Sequence, residues 1–330
     1  MASSAGARAA KSFRYYHVDN FTENPLEGNA LAVVLDADDL DTVTMQRVAR
    51  DFNLSETTFI LRPERPESVA RVRIFTPQVE LEFAGHPTIG SAFVILAEGR
   101  LSGRKAFTLD EQIGPVPIRI EGDDDPLIWL ETPPISIGRT FDRDAWARAL
   151  RISADDLLPE VPCRSYSARV PCVFIALRDV RAVDAADVDE PGMRHALLGE
   201  DKPTCIFVFT PTPFGAYSRM FAPQLGIRED PATGSATGPL AAFMLDYDLV
   251  SAPDRSRFFS EQGTKMGRRS ILHVRVDDVA GRRRIEVGGK VVPFATGTIR
   301  VPLSGLQRPG ERISTDDDAG RRRIRAHELE

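Results

Sequence analysis

The chain has 330 residues, 42% apolar and 27% charged, a globular composition that excludes a mostly disordered protein. Its 42 Lys and Arg against 48 Asp and Glu leave a formal net charge of −6, so it lacks the broad positive field a nucleic acid partner requires. No apolar run approaches the roughly 18 residues of a membrane helix, so no membrane partner is expected.

Residues 1–12 are small and polar with no apolar stretch behind them, and read as a flexible arm rather than a signal peptide. Strands are expected at 13–18, 31–35, 57–62 and 71–75, the last from the alternation in Arg-Val-Arg-Ile-Phe. Between them, 41–52 reads as an amphipathic helix with Val43, Val48 and Phe52 on one side. After Gly85 the run from Pro87 to Leu96 is long enough for a helix, and Pro87 suits a first turn that needs no backbone N–H. The Gly and Ala content of that helix suits close packing inside a sheet or barrel. Further strands are expected at 116–120, 127–131, 172–177, 204–209, 272–276 and 284–287, with a helix at 142–150. The Gly- and Asp-rich stretch 121–126 marks a turn, and the expected division follows it. A first α/β domain spans 13–125, a second spans 126–301 with its last strands able to cross back to the first, and a polar tail covers 302–330.

Three cysteines, Cys163, Cys172 and Cys205, form no C-x-x-C and are odd in number, so no disulfide framework is expected. That usage points to a reducing cytoplasm.

The most informative feature is internal similarity. Arg73-Ile74-Phe75-Thr76-Pro77-Gln78-Val79 recurs as Arg219-Met220-Phe221-Ala222-Pro223-Gln224-Leu225. Each copy leads to a Gly-rich turn, at Gly85 and at Gly234, and then to a run of small and apolar residues. Duplication into two similar domains about a pseudo-two-fold axis is the reading this supports. A second short repeat, 277–285 against 316–324, reads as a hairpin turn in its first copy and as solvated tail in its second.

Each Gly-rich turn would deliver free amides to a helix start, an anion site by virtue of unpaired N–H groups and the helix dipole. Gly85 and Gly234 let a ligand approach the backbone. One such turn is usually only a turn; two at repeat-related positions, facing each other, could hold a small carboxylate. His86 and Asp230 lie beside these turns and suit proton movement, although a lone His is more often packed in a core and an Asp before Pro more often starts a turn.

Three segments in order resemble the phenazine-biosynthesis isomerase family, the PhzF-like proteins. They are Asn53-Leu54-Ser55-Glu56-Thr57-Thr58-Phe59, Phe83-Ala84-Gly85-His86-Pro87-Thr88 and Glu229-Asp230-Pro231-Ala232-Thr233-Gly234-Ser235-Ala236. The opening Phe21…Gly28-Asn29-Ala30-Leu31-Ala32-Val33 belongs to the same resemblance, with Ala30 where the family often has proline. The resemblance implies an α+β, diaminopimelate-epimerase-like fold: two pseudo-symmetric domains, each a curved mixed sheet or barrel around a central helix, with the site between them. It implies a cofactor-free, homodimeric enzyme; separately, no H-x-x-x-H, H-x-H or clustered Cys/His in the sequence suggests a metal site. Glu56 matches the general base and acid, His86 and Asp230 the groups that hold the substrate's polar atoms, and Gly85, Gly234 and Ser235 the carboxylate cradle. A carboxylate enclosed in a cleft has its charged form disfavoured, so it can both take and return a proton near neutral pH.

Relatives of this fold that use two thiols place a cysteine at each turn; Ala84 and Thr233 stand there instead, which excludes that chemistry. The expected function is a cofactor-independent isomerase acting on a small carboxylate. A catalytically silent metabolite- or protein-binding member of the fold is the alternative, with a dehydratase or lyase as a related enzyme outcome.

Overall fold

The computed structural model describes residues 10–197 and 205–302. The first half runs β1 (Ala10–Asn20), β2 (Asn29–Val34), α1 (Thr42–Phe52), β3 (Glu56–Leu61), β4 (Ser68–Phe75) and β5 (Glu80–Leu81). It continues with α2 (Gly85–Ala97), β6 (Ala106–Glu111), β7 (Gly114–Glu121) and β8 (Leu127–Glu131). The second half opens with β9 (Ser136–Phe141), α3 (Arg143–Ala149), β10 (Cys163–Ala168), β11 (Val170–Ala176), α4 (Val180–Ala185) and α5 (Glu190–Ala196). There follow β12 (Cys205–Thr212), β13 (Gly215–Ala222), β14 (Ile227–Asp230), α6 (Gly234–Asp246) and β15 (Arg257–Gln262). The chain closes with β16 (Ser270–Val279), β17 (Arg282–Gly289) and β18 (Val291–Pro302). The expected arm and tail lie outside the described residues, apart from Ala10–Ser12 and Pro302, which are strand; so does the second copy of the short repeat.

The duplication is written in the strand pairing. In the first half β2 pairs parallel to β3, β3 antiparallel to β4, β4 parallel to β6, and β6 antiparallel to β7. In the second half β11 pairs parallel to β12, β12 antiparallel to β13, β13 parallel to β15, and β15 antiparallel to β16. Both halves insert a 13-residue helix at the same point, α2 and α6. The final strands of the two units, β8 and β17, pair antiparallel with each other, as a local two-fold relation requires. The turn after β7 joins it to β8 as a hairpin, and β18 returns to pair with β1 along its whole length.

The central helices are apolar all round, which marks a helix meant for burial rather than for one face. Ten of thirteen residues are buried in each. Strands β1, β2, β3, β4 and β8 all contact α2, so the sheet wraps it; Ile89, Ala92 and Ile95 fill the space against Val33, Val72, Ile74 and Leu109. Around α6 the filling is heavier: Phe243 meets Phe174, Phe209 and Tyr166, and Leu240 and Met244 lie in the same cluster. Each such side chain contributes about 2–3 kcal/mol on leaving water. The remaining helices cover outer faces: α1 on Phe59 and Phe75, and α3 to α5 on Ile175, Val208 and Phe221. The α+β fold in two similar halves is therefore as expected.

One expectation is corrected. Cys172 and Cys205 form a disulfide, with Cα atoms 4.6 Å apart, and Cys163 alone is a free, buried thiol. The two cysteines are 33 residues apart but stand at the same register of the parallel pair β11 and β12. Chain spacing carries no information about register, which is why Cys arithmetic missed the pair.

Candidate active site

The two central helices meet tip to tip. A methyl group built on Gly85 would sit 3.1 Å from the Ser235 amide nitrogen and 3.2 Å from the Gly234 Cα, so a side chain there would press on the backbone of the facing tip. Neither helix has a side chain capping its start. Pro87 has no N–H, so the first turn of α2 offers the Gly85 and His86 amides; α6 offers those of Gly234 and Ser235. Two helix starts, each with first-turn amides and a positive dipole end, thus lie against one another.

Glu56 reaches this point through local chain geometry. Helix α1 ends at Asn53 in the left-handed conformation (φ 51°), a shape Asn tolerates better than most residues, and the chain turns at once into β3. Glu56 is the first residue of β3, beside Leu31 of β2. Its side chain is 12% exposed, and its Oε2 lies 3.1 Å from His86 Nε2. The two atoms are too poorly aligned for a hydrogen bond, and neither has another partner among the described residues. Burial, and then the charge of Asp230, push the Glu56 carboxyl up to about 8. Burial pushes His86 down to about 3. At neutral pH the contact therefore joins a largely protonated acid to a neutral imidazole and is not an ion pair.

Asp230 ends β14 from the other half and is 7% exposed. Its Oδ2 accepts from the Thr233 hydroxyl at 2.5 Å and its Oδ1 from the Asn29 amide at 3.0 Å. Burial nevertheless outweighs those two donors and pushes it up to about 6. The structure brings Glu56, His86 and Asp230 together with Gly85, Gly234 and Ser235.

Two further residues were given no role from the sequence. Asn29 opens β2 just after Gly28, whose backbone (φ +66°) and proximity to the Asn20 carbonyl forbid a side chain. The Asn29 amide donates to Asp230 Oδ1 and to the Ala232 carbonyl, both at 3.0 Å, and lies 3.4 Å from His86 Nδ1. It therefore ties residues of both halves to one side chain. Gln262, fully buried on β15, donates to the Asp230 carbonyl at 2.7 Å and accepts from the Thr233 N–H at 3.1 Å, which fixes the loop between Asp230 and α6. The Gly28-Asn29 pair was a visible signal for the first; nothing local marks the second. Phe21 packs against Gly234 and also lines a cavity of about 180 Å³ with Lys290 and His273, a space that Glu56, His86 and Asp230 do not border. Among the described residues no group of three or more His, Cys, Asp or Glu is arranged to hold a metal.

Comparison with known proteins places the chain in a family and a fold. The phenazine biosynthesis-like protein model matches residues 18–297. The chain is 36% identical to the trans-2,3-dihydro-3-hydroxyanthranilate isomerase of Pseudomonas aeruginosa, over 86% of this chain and 98% of that one. A PhzF-family phenazine biosynthesis protein of Bacillus anthracis superposes with a TM-score of 0.78 at 23% identity, covering 88% of this chain and 99% of that one. A hydroxyproline epimerase of Agrobacterium vitis shares the fold at a TM-score of 0.58 and 15% identity, over 90% of this chain and 94% of that one. With matches that span nearly the whole folded region, the chain belongs to the phenazine biosynthesis-like family of isomerases.

Proposed function

We propose that the protein is a cofactor-independent isomerase that moves a proton from one carbon to another of a small carboxylate substrate, with Glu56 as general base and acid. The observation that carries this reading is the buried, unpartnered Glu56 Oε2 lying 3.1 Å from His86 in the first turn of α2, a helix start that itself abuts the start of α6. The Gly85, Gly234 and Ser235 backbone would hold the substrate carboxylate, as anions are held at helix starts. Ionised Glu56 removes a C–H proton, the electron pair moves into the conjugated system, and the Glu56 acid returns the proton at the new carbon end of that system. His86 and Asp230 hold the substrate's polar atoms and fix which carbons face Glu56. A carboxyl whose proton affinity lies near the working pH serves both halves of this cycle.

The substrate in the relatives' names, trans-2,3-dihydro-3-hydroxyanthranilate, is the first compound to test. Incubation in deuterated water should place label at carbon in the isomerised product. Glu56→Gln should abolish that exchange while ligand affinity stays within about tenfold. Binding without exchange in the wild-type protein would favour a silent binding role, and release of water from the substrate would favour a dehydratase. The same reading holds the protein to be a homodimer, which sedimentation tests; a cytoplasmic location no longer rests on cysteine usage, since Cys172 and Cys205 are bonded, and cell fractionation tests it. No helix among the described residues is long and apolar enough to cross a membrane.

A further inference from the structure

One buried acid has no part in the chemistry above. Glu111 ends β6, is 6% exposed, and has no Lys or Arg partner among the described residues. Its Oε1 lies 2.6 Å from the Thr88 hydroxyl, and that hydroxyl lies 2.7 Å from the Ala84 carbonyl. Its Oε2 has no partner among the described residues.

The Thr88 hydroxyl carries a single hydrogen, so the two short contacts cannot both be bonds that it donates. Were Glu111 ionised, Thr88 would turn to it. The Ala84 carbonyl would then keep only the 3.2 Å bond from the Thr88 N–H, and a negative charge would lie buried with one donor. With a proton on Glu111, the acid donates to Thr88 and Thr88 donates to Ala84. Both contacts become bonds in one chain, each strengthening the other, and no charge is buried. Burial without a cation also pushes Glu111 up to about 8, in the same direction.

Ala84 immediately precedes α2 and offers no capping side chain. Its carbonyl and the Gly85 N–H belong to the same planar peptide unit and point opposite ways. Whatever fixes that carbonyl therefore aims the Gly85 amide. We propose that Glu111 is a positioning residue: as a neutral acid it holds, through Thr88, the Ala84–Gly85 peptide plane, and so points the Gly85 amide at the substrate carboxylate. This rests on the proposed role of the helix tips as a carboxylate cradle.

Two readouts need no substrate. The infrared difference between wild-type protein and Glu111→Gln at pH 7 should contain a protonated carboxylic acid band from Glu111; ionised carboxylate bands in its place would overturn the proposal. The Gly85 amide resonance should move in Glu111→Met and Thr88→Val and stay near its wild-type position in Glu111→Gln, whose amide can still donate to Thr88. An unmoved resonance in the first two variants would also overturn it. With trans-2,3-dihydro-3-hydroxyanthranilate as probe, Glu111→Met and Thr88→Val should raise KM about tenfold with kcat changed less than threefold, because the lost aim weakens substrate and transition state alike. Glu111→Gln should recover most of the loss, and a wild-type KM in Glu111→Met would refute the role. If the wild-type protein does not turn this compound over, the proposed function is what fails, and the infrared and resonance measurements still decide the state of Glu111.

Discussion

Holding Glu56 in readiness costs folding stability, and that cost can be measured without a substrate. In the folded chain its carboxyl keeps its proton up to about 8, against an ordinary value of 4.5. Between those two pH values the folded state binds a proton that the unfolded state has lost, so stability falls as pH rises through the window. The difference of 8 − 4.5 units, at about 1.4 kcal/mol each, sets a ceiling of about 5 kcal/mol. Total stabilities are commonly about 5–15 kcal/mol, so even half the ceiling is a large effect. Glu56→Gln keeps the size of the side chain and cannot ionise. It should match the wild type in urea unfolding near pH 4.5 and exceed it by a few kcal/mol near pH 8.5. His86 runs the other way: its lowered value removes stability as pH falls from 6.5 towards 3. Its lowered value acts only below pH 6.5, so the part of the comparison between pH 6.5 and 8.5 is free of it. A stability gap between variant and wild type that stays constant from pH 4.5 to 8.5 would refute the reasoning, since it would mean that Glu56 titrates alike in the folded and unfolded chains.

In Asp230→Asn, loss of the neighbouring charge should lower the Glu56 value and move the rising limb of kcat/KM towards lower pH; an unmoved limb would show that Asp230 does not act on the base. Replacing Asn29 by Leu strips a donor from both Asp230 and the Ala232 carbonyl, and should lower unfolding free energy by about 2–4 kcal/mol in denaturant titration; a change within 0.5 kcal/mol, roughly that of a surface substitution, would contradict those bonds. Thiol titration of protein denatured without reductant should find one reactive cysteine, Cys163, and three after reduction; three before reduction would exclude the Cys172–Cys205 bond.

Much of the architecture was legible because it rests on patterns that survive along the chain. The helices at 41–52 and 142–150 appear as α1 and α3, and the repeat at Arg73 and Arg219 marks equivalent strands. Both arginines hold a carboxylate five residues before the helix start, Arg73 to Glu80 and Arg219 to Glu229. Elements that escaped notice broke their own pattern. Strand β18 contains Pro293 and Gly297, and its register against β1 shifts between His17 and Val18, where Phe294 bulges out. Strand β9 is exposed at five consecutive positions and so lacks alternation. Helix α5 carries Pro191 and Gly192 in its first turn and is only seven residues long. At the site, the Gly-rich turns and His86 could be reasoned from the residues, whereas Glu56 was reached only through the family resemblance. Its importance is a matter of tertiary placement: a glutamate at the start of a strand looks like any exposed polar residue until the helix tips close over it. Gln262 and Glu111 were invisible for the same reason, since their partners lie 32 and 23 residues away.

The ladder between β8 and β17 joins the two halves through backbone. Equivalent strands of the two units run through each other's hydrogen bonds over four residue pairs, from Glu131 with Glu286 to Ile128 with Gly289. A pair of lobes strung on a loose tether would share no hydrogen bonds, whereas these share one pleated floor. The join between the halves is thus made by backbone hydrogen bonds and not by the connecting chain alone.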